Sequence, residues 1–105
     1  MTLGEKQRLF SKLVPRLIDR IFESGFECSI AFVKRCEECK VGKVNSVHKL
    51  KLAIDIDLFF DGDYREDTLS HLEFGEFWEG LNPLCRWGGR FKDGNHYSIE
   101  HNGVK

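Results

Sequence analysis

The chain has 105 residues, a length that suits one domain, and residues 1–105 are read as a single unit. Its 16 basic and 17 acidic side chains leave a net charge of −1 and are mixed along the chain. Neither nucleic acid nor an anionic membrane is therefore expected as the main partner. Hydrophobic residues make up 41%, enough for one modest core, and no apolar stretch approaches the length of a transmembrane helix, so membrane insertion is not expected.

Residues 3–24 read as an amphipathic helix. Phe10, Leu13, Val14, Leu17, Ile18, Ile21 and Phe22 recur at helical spacing and make one apolar face. Pro15 inside this pattern is expected to kink the helix or split it in two. Gly25 supplies the C-terminal stop. The first ten residues carry Glu5, Lys6, Gln7 and Arg8 where a secretory leader needs an apolar core, so synthesis and folding in the cytoplasm are expected.

Residues 26–33 read as a strand. Residues 34–45 are polar and cysteine-bearing, and read as loop with a short helical turn. Residues 52–60 give the strongest strand signal, with Leu52, Ile54, Ile56 and Leu58 alternating with Ala53, Asp55 and Asp57. Asp61-Gly62-Asp63 signals a turn, with a further strand starting near Tyr64. Residues 71–81 read as a second helix with Leu72, Phe74, Phe77, Trp78 and Leu81 inward, stopped by Asn82-Pro83. Trp87-Gly88-Gly89 reads as a tight turn, and residues 96–100 as a last short strand. The pattern is α+β, with helices packed on a small, mostly antiparallel sheet.

Four cysteines are present. Cys36 and Cys39 form a CxxC pair, which fits half a zinc site or a redox pair, but Cys28 and Cys85 do not form a second one. Free thiols are the expectation in a cytoplasmic chain.

Three segments gather the residues that carry chemistry: Ser46-Val47-His48, Ala53-Ile54-Asp55 and Asp93-Gly94-Asn95-His96. His48 precedes the strongest strand. Asp55 lies in it, on the face opposite the large aliphatics, with Asp57 two residues on. Two imidazoles and one carboxylate can form the three-ligand shell of a catalytic zinc that keeps a position for water. Asp93, three residues before His96, is then the candidate general base. Each residue also has an ordinary explanation: His48 in a loop, Asp55 and Asp57 on a solvated face, Asp93-Gly94-Asn95 as a simple turn.

Read together, these segments resemble a known family. Residues 46–55, from Ser46 through His48 to Ala53 and Asp55, resemble the SxHxxGxAxD signature of zinc D-alanyl-D-alanine carboxypeptidases and phage L-alanyl-D-glutamate endopeptidases. That family shares its fold with the hedgehog signalling domain. Trp87-Gly88-Gly89 followed by Asp93, His96 and Tyr97 resembles the second signature: WGG, a short gap, an acid three residues before a histidine, then an aromatic. Lys51 stands where the first signature has glycine. The resemblance spans residues 35–97. It implies a hedgehog/DD-peptidase-like fold and hydrolysis of peptidoglycan stem peptides. His48, Asp55 and His96 are implied as zinc ligands and Asp93 as general base. Ser46 is implied in a local hydrogen bond, and Arg35 in holding substrate oxygen. It also implies a lysis enzyme that acts on the wall after release from the cytoplasm. Two other readings stay open: a non-catalytic zinc-binding interaction domain on the same fold, and a thiol redox or cysteine–zinc protein built on Cys36 and Cys39. His71 is expected at a helix start, His101 in the tail, Glu100 on the surface, Trp78 in the core, and Trp87 either in the core or on a cleft wall.

Overall fold

A computed structural model describes residues 1–31, 52–91 and 93–102. The chain runs α1 (Leu3–Glu23), β1 (Glu27–Ala31), β2 (Ala53–Phe60), β3 (Asp63–Arg65), α2 (Thr68–Leu81) and β4 (Cys85–Trp87). A 3-10 turn (Gly88–Phe91) then leads to β5 (His96–Ile99). This is a small α+β fold, and every strand pairing among the described residues is antiparallel. The sheet order is β1-β2-β5-β4, with β3 also paired to β2. Since β1 occupies one edge of β2, β3 and β5 share the other: β5 pairs with Ala53, Ile54 and Asp55, and β3 with Leu58, Phe59 and Phe60. No described helix is long and apolar enough to cross a membrane.

The first helix begins with a reciprocal cap. Thr2 Oγ1 accepts from the Glu5 N–H at 3.1 Å, and Glu5 Oε1 accepts from the Thr2 N–H at 2.8 Å. It ends as expected at Gly25, which sits at φ 88°. There the Phe26 N–H reaches Ile21 O and the Gly25 N–H reaches Phe22 O, the paired closure that satisfies the last carbonyls. Pro15 does not split the helix: α1 is continuous through it. A proline removes one backbone donor, whereas Leu13, Leu17 and Ile21, buried at four-residue spacing on both sides of it, bury one continuous stripe.

Two element boundaries are corrected, and one strand is new. Of the strand drawn over 26–33, Glu27–Ala31 is strand and Phe26 precedes it, while residues 32–33 lie outside the described residues. The second helix starts three residues before 71, because the Asp67 carboxylate accepts from the Ser70 N–H at 2.9 Å and caps it there, a bond worth about 1 kcal/mol. A short strand at Cys85–Trp87, which carried no alternation signal, pairs with β5. The hairpin at Asp61-Gly62 is as expected. Phe60 pairs with Asp63 across a two-residue loop, and Asp61 and Gly62 take φ 52° and 83°, the doubly left-handed turn whose twist matches the strands.

Both helices pack on one face of the sheet. Ile54, Ile56, Leu58, Trp87, Tyr97 and Ile99 are buried with Leu13, Leu17, Ile21, Phe74 and Trp78. Trp78 is core, as expected, and donates from Nε1 to Ser98 O at 3.0 Å. Tyr97 meets Trp78 edge to face, with ring centroids 6.3 Å apart. His71 is not a helix-start residue. It is 1% exposed, inside α2 on the same stripe as Phe74, Gly75 and Trp78, and its Nδ1 shares a 2.8 Å hydrogen bond with the Tyr97 hydroxyl. Its place at i, i+3, i+4 and i+7 with those three residues was a readable signal. Burial holds the His71 pKa down at about 4 and pushes the Tyr97 phenol up.

Candidate metal and catalytic site

The other face of the sheet carries the candidate site. Asp55 and His96 are register partners across β2 and β5. Their neighbours Ile56 and Asn95 share a backbone hydrogen bond of 2.9 Å. Asp55 and His96 therefore form the pair without ladder bonds, in which facing side chains lie closest. His96 Nδ1 lies 3.5 Å from Asp55 Oδ1 and 3.9 Å from Asp93 Oδ2. The three side chains grade from closed to open, at 6%, 21% and 51% exposed for His96, Asp55 and Asp93.

The loop that carries Asp93 is held by the Trp87-Gly88-Gly89 segment. Trp87, the last residue of β4, donates from Nε1 to Gly94 O at 2.7 Å. The Asp93 N–H donates to Gly88 O at 2.8 Å, and the His96 N–H closes the turn on Asp93 O at 3.1 Å. Gly88 is needed at this point. A Cβ there would strike the Asp93 carbonyl and come within 2.7 Å of His96 Cβ. Gly75 and Gly89 let α2 and the 3-10 turn lie directly on the Trp87 indole, and the Arg90 guanidinium sits 5.2 Å from its ring centre. Trp87 is thus core, 2% exposed, and the brace that sets the Asp93–His96 turn. Its sequence signal was the WGG pattern; the acceptor on Gly94 had none.

Of the residues singled out in the sequence, the structure brings Asp55, His96 and Asp93 together. His48, Arg35, Ser46, Lys51, Cys36 and Cys39 lie outside the described residues. Among the described residues no three His, Cys, Asp or Glu side chains form a metal-holding group, and His48, the third expected ligand, is not among them. The donor types and spacing of the pair nonetheless suit an ion. Bonds of about 2.0–2.2 Å at a tetrahedral angle put neighbouring donor atoms about 3.3–3.6 Å apart, and Asp55 Oδ1 and His96 Nδ1 stand at 3.5 Å. No protein-family model matches the chain, and no characterised protein matches it.

The surroundings complete the picture. Asp57 accepts from the Tyr64 hydroxyl at 3.4 Å. Glu100 is not a lone surface charge: it pairs with Arg86 at 3.0 Å, both side chains about 30% exposed. His101 is fastened to the first helix, with Nδ1 3.2 Å from Lys6 Nζ. The two described thiols are free. Burial raises the Cys28 pKa and pushes Cys85 up to about 12, so neither is poised as a thiolate.

Proposed function

We propose that the protein is a zinc-dependent peptidase that hydrolyses peptide bonds in peptidoglycan stem peptides, built on a hedgehog/DD-peptidase-like form of the α+β fold. The observation that carries this reading is the Asp55–His96 pair. Two residues far apart in sequence, each drawn from a different signature, face each other at 3.5 Å, with the acid of the second signature beside them. His48, from the first signature, would complete the ligand set.

Bound zinc would supply Lewis-acid chemistry, polarising a peptide carbonyl and easing the ionisation of water. The carboxylate of Asp55 and the imidazole of His96 hold their donor atoms on one side of the sheet, so little reorganisation is needed to bind. Asp93, half exposed at the rim, takes the proton of the attacking water at Oδ2 and returns it to the leaving amine. The Trp87 and Gly88 contacts keep Asp93 in place for both transfers. Arg35, by resemblance, would hold the carbonyl oxygen as charge develops. The biological role that follows is endolysin-like: synthesis in the cytoplasm and action on the wall after release.

Mass spectrometry of purified peptidoglycan fragments, incubated with the zinc-loaded protein, tests the reading. New peptide termini made by the wild type and lost in Asp93→Asn are the expected result, and they name the bond. Fragments left intact by zinc-loaded protein contradict the peptidase and leave the non-catalytic zinc-binding domain.

A further inference from the structure

Asp57, Phe59 and Tyr64 lie on the same sheet face as Asp55 and His96, along the open half of β2. Alternation puts Asp55, Asp57 and Phe59 on one side, and Tyr64 joins them as the register partner of Phe59 in β3. The Phe59 and Tyr64 rings stand 5.5 Å apart at 41°. From there the Tyr64 hydroxyl reaches back along β2 to Asp57 Oδ1 at 3.4 Å, so the phenol leans toward the candidate metal site. Tyr64 is 52% exposed and Asp57 is partly exposed, so the group opens to solvent. Asp57 lies about 7 Å along the strand from Asp55, the reach of roughly two bonded residues of a substrate.

On the β1 side, Glu27 flanks Phe59 and Ser29 flanks Asp57. Arg65, the basic residue of β3, pairs with Leu58 and so belongs to the opposite face, where its guanidinium lies 5.8 Å from the Phe60 ring centre. The described residues of β1, β2 and β3 thus give this face carboxylates and aromatic rings and no base. A carboxylate beside a pair of aromatic rings is chemistry that receives an ammonium group, by ion pairing and by attraction to the ring faces.

We propose that Asp57, Phe59 and Tyr64 form a subsite that selects substrates carrying a free primary ammonium group near the scissile bond, such as a lysine side chain of a stem peptide. The inference rests on the peptidase reading above and adds a specificity determinant to it. Asp57 and Tyr64 fix the cation, and the Asp55–His96–Asp93 group performs the chemistry.

Two synthetic stem peptides that differ only in lysine or Nε-acetyl-lysine test it, with wild type and Asp57→Asn compared. The wild type is expected to favour the lysine peptide about tenfold in kcat/KM, chiefly through KM. In Asp57→Asn that ratio should fall to about one. A wild-type ratio of one, or a ratio that persists in Asp57→Asn, overturns the subsite while leaving the peptidase intact. If neither peptide is cleaved, the peptidase reading fails, and calorimetric binding of the same two peptides decides the subsite separately. Tighter binding of the lysine form, lost in Asp57→Asn, upholds it, and equal binding of both forms by the wild type overturns it.

Discussion

One sheet presents two faces of opposite character. On the helix side, Ile54, Ile56, Leu58, Tyr97 and Ile99 are closed under Phe74 and Trp78, and the polar groups there, His71 and the Trp78 indole, bond within the core. On the other side the same strands present Asp55, Asp57 and His96, with Asp93 at the rim. Alternation makes this division inevitable: each strand that turns one residue to the core turns its neighbour to the opposite face. The helix face supplies the rigidity that the other face uses. Trp87 shows the link, since its indole is packed by Gly75 from α2 and its Nε1 bonds the loop that carries Asp93.

Removing Trp87 should therefore damage both faces. Trp87→Ala is expected to cost about 3–5 kcal/mol in urea unfolding and to abolish activity, because the Asp93 loop loses its anchor. Trp87→Phe keeps most of the packing and loses the Gly94 bond, so its activity should fall more than its stability. Equal modest losses in both variants would mean that the two faces are uncoupled.

Asp93→Asn touches only the open face. Activity on cell-wall substrate should drop about a hundredfold or more, the usual scale for a general acid–base group, and zinc content should hold. Urea unfolding should barely change, because the side chain is half exposed. Unchanged turnover would make Asp93 a turn former.

His71 probes the closed face by pH. Its folded pKa, about 4, lies below the ordinary 6.5, so between those values the unfolded chain binds the proton and the folded chain does not. Stability should thus decline as pH falls from about 6.5 to 4 and level off below. His71→Gln should flatten that decline in melting temperatures measured across the window. An identical slope in the variant would show that His71 does not titrate on unfolding. The smallest effect is expected at Gly25, where Gly25→Ala meets open space and pays only for its left-handed backbone, about 1 kcal/mol by thermal unfolding.

Much of this was legible in the residues. The alternation over 52–60 placed β2 and the Asp55 face, and Asp61-Gly62 announced its turn by chemistry alone. The acid-to-histidine spacing of Asp93 and His96 foretold a shared turn. What was missed depended on contacts between distant segments. A three-residue strand such as Cys85–Trp87 is too short to show alternation and exists because β5 pairs with it. For His71 the helical stripe with Phe74 and Trp78 was readable, but the partner that lets a polar ring sit there, the Tyr97 hydroxyl, lies 26 residues away. The continuity of α1 through Pro15 likewise follows from its packing, which local propensity does not contain.

If Asp55 and His96 are two ligands of one zinc ion, metal analysis by mass spectrometry will show it. Purified wild type should carry about one zinc per chain. Asp55→Ala and His96→Ala should each lose most of it, while a Cys36→Ser/Cys39→Ser variant retains it. Full zinc in both alanine variants, with loss in the cysteine variant, would rule out Asp55 and His96 as ligands and move the metal to the CxxC pair.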